Sequence, residues 1–154
     1  MDDQIKTAAE VAEANALPRL HEVHCGPGAE PSSCQPLPER IATTPVAGKS
    51  AAQWAYERTV LYLKKFEEGL DDGHEVAMGF AGTDAGVLRI EGMGYFDPDI
   101  VTFYGKDATG GKMQLVQHVS QLSVLLRAAP KAVEAEAPNR IGFRLMQDLE
   151  QGEA

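Results

Sequence analysis

The sequence predicts a single α+β domain behind a flexible arm: a mostly antiparallel sheet of four to five strands, packed by one long N-terminal helix and a second helix. A helical apolar period begins at Ser50, and short β-branched and aromatic runs separated by turn residues follow it. Prolines and glycines crowd the stretch before it. The 154 residues have the length of about one domain. Because the regular pattern begins at Ser50, we divide the chain into an arm, 1–49, and a domain, 50–154.

Composition places the chain among folded, acidic proteins. Hydrophobic residues make up 44% and charged residues 24%, which excludes global disorder. The 23 acidic and 14 basic residues give a formal net charge of −9, which argues against a nucleic-acid partner. No apolar stretch reaches the roughly 20 residues that cross a bilayer, and the opening segment is acidic. We therefore expect a cytoplasmic protein without membrane association.

The arm contains few residues that could form a core. Residues 2–16 could form a weak helix with small apolar residues on one side, which we expect to fray. From Pro18 to Ser50 the density of proline and glycine predicts no regular elements. We expect residues 1 to about 48 to be mobile and to be the first that a protease removes.

The long helix has both a start signal and an apolar stripe. Ser50 and Gln53 form the Ser-x-x-Gln pattern of a capping box. Apolar residues then recur at steps of three and four, which predicts that one face packs on a core. The stripe consists of Ala52, Tyr56, Val60, Leu63 and Phe66, with Trp54, Leu61 and Tyr62 beside it.

Turn residues divide the next part of the chain into strands. Residues 75–81 and 87–93 are predicted to form a hairpin around 82–86. Asp97-Pro98 predicts a turn before a strand that starts at Ile100, and Gly110-Gly111 closes the next hairpin.

The segment 113–129 fits two patterns. Its apolar residues Leu115, Val119, Leu122 and Leu126 fit a helix, whereas the preceding Gly-Gly turn predicts a strand. We divide it near His118, with a strand before this residue and a helix, ended by Pro130, after it. Residues 141–145 are predicted to form a final strand that runs into a short polar C-terminal helix.

Four stretches of the domain, 50–58, 98–105, 114–121 and 140–145, together resemble a bacterial family known only as a domain of unknown function. The resemblance covers roughly residues 50 to 150. It implies a bacterial origin, with the alphaproteobacteria the favoured group. It implies no activity, cofactor or catalytic residue for this chain.

Two motifs in the arm suggest ligands but depart from the patterns that bind them. Gly48-Lys49-Ser50 is similar to the end of a phosphate-binding loop, yet Thr43 stands where that loop needs glycine, so we interpret Ser50 as a helix cap. His21, His24, Cys25 and Cys34 could bind zinc, but three of them crowd into five positions instead of forming two close pairs. We predict free thiols, no metal and no cofactor.

Catalytic residues are not predicted. His118 lies in a structured segment near Ser120 and Ser123, but no nucleophile-elbow pattern surrounds either serine. The carboxylates of Glu91, Asp97 and Asp99 could act in acid–base chemistry or bind a divalent ion, and turn chemistry explains the aspartates more simply.

The segment 113–126 contains no Asp, Glu, Lys or Arg. Read as a helix, it places Gln114, Gln117, His118 and Gln121 on one face, which we predict to be a protein interface, most simply with a second copy of the chain. A solvated helical face is the alternative. We therefore expect a protein-interaction or binding module without a catalytic site. The alternatives are a small hydrolase or transferase centred on His118, and an acidic inhibitor of a basic protein surface.

Overall fold

The computed structural model describes residues 7–27, 37–80, 86–133 and 135–151. Two compact units make up the chain, Met1–Lys49 and Ser50–Ala154. The mobility predicted for residues 1 to about 48 stays a prediction, and the turn predicted at 82–86 lies outside the described residues except for Gly86.

The first unit begins with a short capped helix. Helix α1 (Ala8–Ala14) has no buried residue. Its cap is a capping box, in which the Thr7 hydroxyl accepts from the Glu10 N–H and the Glu10 carboxylate accepts from the Thr7 N–H. Helix α1 lies within residues 2–16, for which the sequence predicts a weak helix, and the expected fraying stays a prediction.

Two more short elements occur where the sequence predicted none. Helix α2 (Glu39–Ala42) and a 3₁₀ turn (Val46–Gly48) begin directly after Pro38 and Pro45. The expectation that proline excludes regular structure here is wrong because a proline at the start of a helix lacks only an N–H that would have no helical partner.

The second unit is an α+β domain, as predicted. Its elements are α3 (Ala51–Glu68), β1 (His74–Phe80), β2 (Val87–Phe96), β3 (Ile100–Lys106), β4 (Lys112–His118), a 3₁₀ turn (Val119–Gln121), β5 (Val124–Pro130) and α4 (Ile141–Gln151). The five strands form an antiparallel sheet in the order β4-β3-β2-β1-β5.

Helix α3 begins and packs as the sequence predicts. The Ser50 hydroxyl accepts a hydrogen bond of 3.0 Å from the Gln53 N–H. Val60 and Leu63 of the apolar stripe are completely buried, whereas Tyr62 is half exposed. The helix packs on β1, β2 and β3. Alternate residues of these strands complete the core, whose buried members are Leu63, Val76, Met78, Phe80, Leu88, Ile90, Val101, Phe103 and Ile141.

The second predicted helix is a strand. After the 3₁₀ turn, β5 pairs with β1 along its whole length, from His74 opposite Pro130 to Phe80 opposite Val124. Leu122 and Leu126 are four positions apart, a spacing that fits one face of a helix and one face of a strand equally well. Pairing with β1 decides between the two.

The predicted final strand is the first part of helix α4. Its first turn lies against α3, where the buried Glu67 carboxylate accepts hydrogen bonds from the N–H groups of Gly142 and Phe143, at 3.0 and 2.9 Å. These contacts satisfy two of the amides that a helix leaves unpaired at its start. A partner 75 positions away in the sequence therefore sets where this helix begins.

The sheet must be strongly curved. Residues 119–123 connect β4 to β5, although these strands form opposite edges of the sheet. A flat sheet would separate the edges by about 19 Å across the strands alone, given a strand spacing of about 4.8 Å. A fully extended link of this length spans at most about 20 Å, and the 3₁₀ turn shortens it. A register shift between Ile90 and Gly92 supplies a bend in β2.

No helix in the described part of the chain is long and apolar enough to cross a membrane.

Candidate functional site

The sheet has an outer face, directed away from the core, that carries an uncharged patch on β2, β3 and β4. Strand pairing places its residues in three rows of directly opposed neighbours. None of them is Asp, Glu, Lys or Arg, in a chain of which 24% is charged. We call these nine positions the outer patch: Gly92, Tyr104 and Gln114; Gly94, Thr102 and Val116; Phe96, Ile100 and His118.

Large apolar side chains of the outer patch are exposed. Phe96 is 75% exposed, Val116 59% and Tyr104 42%. Tyr104 lies beside the two glycines of β2, because a Cβ built on Gly92 would be 3.7 Å from its Cδ2 and one on Gly94 would be 4.0 Å from its Cε2. Without side chains on these glycines, the floor of the patch is flat and the aromatic ring stays accessible.

A row of basic residues borders one end of the outer patch. Arg89, Lys106 and Lys112 are directly opposed neighbours on β2, β3 and β4. Arg89 pairs with Glu75 at 2.6 Å, and Lys106 lies 3.8 Å from Glu91. Lys112 has no acidic partner among the described residues. Of the three basic residues in this row, it is the one without an ion pair in the part of the chain that the structure describes.

Acidic residues border the other end. Asp97 and Asp99 flank Pro98 in the turn between β2 and β3. The Ser50 hydroxyl donates to Asp97, and the Pro98 carbonyl accepts from the Ala52 N–H at 3.0 Å. The turn is thus held on the start of α3, and of its two carboxylates that of Asp99 contacts His118 of the outer patch.

His118 contacts an aspartate and a serine. Its Nδ1 lies 3.1 Å from the Ser120 backbone N and 2.8 Å from the Ser120 Oγ, and its Nε2 lies 3.1 Å from the Asp99 Oδ2. Because a backbone N–H can only donate, Nδ1 must carry a lone pair, and Nε2 then carries the hydrogen and donates to Asp99. The side chains of His118 and Asp99 are both nearly half exposed.

The contact of the His118 ring with the Ser120 backbone N–H has a structural role, which is to cap the turn that follows β4. His118 is the N-cap of the 3₁₀ turn, where its ring takes the role that serine or aspartate usually takes. The same three side-chain types occur in hydrolases, where histidine accepts the serine proton and aspartate orients the ring. The structure therefore brings together His118, Ser120 and Asp99 from the residues that the sequence indicated, while Asp97 contacts Ser50.

Strand β4 forms an edge of the sheet, and hydrogen bonds at its two ends show which backbone groups face outward. The Asp107 N–H donates to the Gly111 carbonyl at 3.0 Å, and the Val119 N–H donates to the Asp99 carbonyl at 2.9 Å. In an antiparallel pair, residues whose backbone N–H and C=O groups point to the neighbouring strand alternate with residues whose groups point away from it. At an edge strand, the groups that point away from the neighbour are directed outward, in the plane of the sheet. The outward-directed residues of β4 are Lys112, Gln114, Val116 and His118.

The four predicted interface residues do not share a face. Gln114 and His118 lie on the outer patch, and Gln121 is exposed in the 3₁₀ turn. Gln117 lies on the inner face, where it is 8% exposed and its Oε1 has no hydrogen-bond partner among the described residues. The helical reading of this segment is wrong, because in a strand adjacent residues point to opposite faces. A role of these residues in an interface stays a prediction.

Sequence reasoning missed Phe96 and Tyr104. The alternating glycines in Gly92-Met93-Gly94 were the available signal, since glycine in a strand interior often marks a surface that another group approaches closely. Recognising it also required the register that places Tyr104 beside them.

A small polar cleft lies apart from His118. Its volume is about 120 Å³, and it opens between β1 and β2. Glu75 and Arg89 form an ion pair in it, and the Glu75 carboxylate also accepts from the Asn139 N–H at 2.8 Å. The polar groups of this cleft thus bond one another. Its lining residues are Glu75, Val76, Arg89, Ile90, Glu91, Lys106 and Asn139.

The candidate zinc ligands are only partly described. Cys25 is an exposed free thiol, and the His24 ring lies 3.0 Å from the Glu22 carboxylate. Cys34 lies outside the described residues. Within the described ranges no three His, Cys, Asp or Glu residues are grouped as metal ligands would be. The expected absence of metal stays a prediction, which elemental analysis of the purified protein can test.

The fold defines an α+β domain whose helix α3 packs on one face of a curved antiparallel sheet, with an uncharged patch on the other. Residues 47–144 match a family of unknown function, DUF6173, and the chain belongs to this family. No curated protein and no solved structure matches the chain.

Proposed function

We propose that the domain is a protein-interaction module that binds its partner on the outer patch. The observation that carries this proposal is the set of nine neighbouring uncharged positions with exposed Phe96, Tyr104 and Val116. Charge depletion and aromatic enrichment mark the cores of protein interfaces.

The size of the outer patch limits the affinity that it can supply alone. Three strands and three rows cover roughly 14 by 20 Å, or about 280 Å². A stable interface needs about 800 Å² on each partner. The partner must therefore contact surface beyond the patch, or it binds weakly.

Site-specific crosslinking tests this function. The photoreactive residue p-benzoylphenylalanine replaces Val116 in the full chain, which is irradiated in an extract of the cells that make it. Gln147, exposed on α4, takes the same replacement as the matched control. We expect a discrete adduct from position 116 that is absent from position 147 and is lost when Tyr104→Ser is added. Equal adducts at both positions, or none at 116, would contradict the proposal.

A hydrolase or transferase centred on His118 is the second candidate. The observation that favours it is the contact of His118 with both the Ser120 hydroxyl and Asp99. Nδ1 would take the Ser120 proton as the oxygen attacks an acyl group, and Asp99 would stabilise the imidazolium. It ranks second because the Ser120 backbone N–H already uses the Nδ1 lone pair. Covalent labelling of Ser120 by a fluorophosphonate, lost in Ser120→Ala and reduced in Asp99→Asn, would support it, and an unlabelled wild type would exclude it.

A further inference from the structure

We infer that two copies of this chain join by antiparallel pairing of β4 with β4, so that their two outer patches form one continuous surface. This inference rests on the proposed function, because it enlarges the surface on which the proposed module binds its partner.

After its first residue, Lys112, strand β4 lacks the features that keep sheet edges apart. Natural edge strands are protected by charges, prolines or bulges. From Met113 to His118 there is no charged residue and no proline, and the ladder with β3 has no register shift.

The other edge of the sheet, β5, has such protection. The Lys131 N–H donates to the Gly73 carbonyl, so the odd-numbered residues of β5 bond β1 and the even-numbered ones face outward. Pro130 stands at one of these outward positions, where it has no N–H to offer, and Arg127 adds a charge. The two edges therefore differ in the property that decides whether a strand can be added.

Geometry selects one register for the β4 pair. Hydrogen-bonded pairs can form only between residues whose groups face outward, which in β4 have even numbers. Centring the pair on Leu115 places Lys112 opposite His118 of the second copy, and Gln114 opposite Val116. This register makes about eight backbone hydrogen bonds, and a shift by two residues in either direction leaves about six.

The same register complements the charges at the two ends of β4. Lys112, which has no acidic partner among the described residues, comes to lie beside His118 of the second copy. That ring donates to Asp99, whose side chain is 43% exposed. A lysine side chain opposite His118 reaches this carboxylate, because directly opposed Cβ atoms are only about 5 Å apart. Each dimer gains this contact twice by symmetry.

The side chains at the junction are compatible with close approach. On the inner face, Leu115 of one copy meets Leu115 of the other, and Met113 meets Gln117. On the outer face the two outer patches become continuous, which doubles the uncharged surface. A contact made along one strand still buries less than a standard interface, so we expect a weak dimer with a dissociation constant on the order of micromolar or above.

An extended peptide from another protein is the competing occupant of this edge. It would use the same outward groups of β4, but it would not require Lys112 and Asp99 to complement each other across a two-fold axis.

Sedimentation equilibrium of the purified full chain over a wide concentration range tests the inference. Val116→Pro removes an outward N–H and leaves the ladder with β3 intact, since the N–H of Val116 does not point to β3. Ala128→Pro is the matched control, at an outward position of β5. We expect the wild type and Ala128→Pro to dimerise alike, and Val116→Pro to raise the dissociation constant about thirtyfold or more, since two hydrogen bonds are lost per dimer.

Charge exchange keeps the test decisive if the proline variant folds poorly. Lys112→Asp and Asp99→Lys should each weaken the dimer, and the double variant should restore it. A wild type that stays monomeric, a Val116→Pro variant that dimerises like the wild type, or a double variant without restoration would overturn the inference. Val116 crosslinked to a different protein while the chain stays monomeric would refute self-pairing and leave the interaction module standing. A monomer without crosslinks would refute both.

Discussion

The close approach of α3 and α4 at Gly142 allows a prediction about stability. A Cβ built on Gly142 would lie 2.7 Å from the Lys64 backbone N, 2.8 Å from the Leu63 carbonyl carbon and 2.7 Å from Glu67 Oε1. Two of these atoms belong to the backbone of α3, which cannot move aside as a flexible side chain can. Gly142→Ala should therefore force the two helices apart.

The size of the stability change follows from two effects that destabilise the fold and one that stabilises it. Overpacking of this kind costs about 1–3 kcal/mol. Separation also lengthens the N–H bonds of Gly142 and Phe143 to the Glu67 carboxylate, and hydrogen bonds to a charged group contribute about 1.5–3 kcal/mol each. Alanine is the better helix former by about 1 kcal/mol. With partial loss of the Glu67 bonds, the free energy of unfolding should fall by about 2–4 kcal/mol.

Urea unfolding followed by far-ultraviolet circular dichroism measures this change. Gly79→Ala in β1 is the control, because its new Cβ would meet Leu125 at an ordinary contact distance of 3.7 Å. We expect a clear loss of stability for Gly142→Ala and little change for Gly79→Ala. If Gly142→Ala is as stable as the wild type or more stable, the helices do not approach as closely as described and the reasoning fails.

Three further predictions concern the helix cap, a buried carboxylate and the first unit. Ser50→Ala should lower the free energy of unfolding by about 1–2 kcal/mol, because the hydroxyl caps α3 and holds Asp97. Ser50→Thr, which keeps a hydroxyl, should retain most of the wild-type stability. Equal melting temperatures for the wild type and Ser50→Ala would disprove this role. Burial raises the pKa of Glu67 above its ordinary value of 4.5, although the Gly142 and Phe143 amides oppose the shift. Folding thus favours the protonated carboxyl, so this contribution to stability is complete below pH 4.5 and is lost as the pH rises through the raised pKa. Glu67→Gln should remove that decline in stability. Parallel pH–stability profiles of the wild type and the variant would contradict this prediction. Trypsin should cut first after the exposed Arg19, in an irregular stretch, and cleavage within 50–151 at the same rate would refute the predicted mobility of residues 1 to about 48.

Short-range signals in the sequence were sufficient for α3 and the first four strands. The Ser50 cap, the Asp97-Pro98 turn and the Gly110-Gly111 hairpin each depend on residues only a few positions apart. Such signals act within one turn or one hairpin, so the rest of the fold does not have to be known to interpret them.

The element types of β5 and α4 depended on distant partners. Apolar residues four positions apart, such as Leu122 and Leu126 or Ile141 and Leu145, fit a helix and a strand alike. The first pair belongs to a segment that β1 completes, and the second to a helix that Glu67 caps from α3. Neither partner is adjacent in the sequence, which is why local pattern assigned both segments wrongly.

The sequence by itself showed that 113–126 carries no charge, but only the tertiary structure decided what that absence means. In a helix Gln117 would share a face with Gln114, whereas in β4 it turns to the core and leaves Gln114, Val116 and His118 outside. Pairing with β3 and β2 then adds Tyr104 and Phe96, which come from other parts of the chain, to the same surface. Composition is a property of the chain, whereas a face exists only once strand register has set which side chains are neighbours.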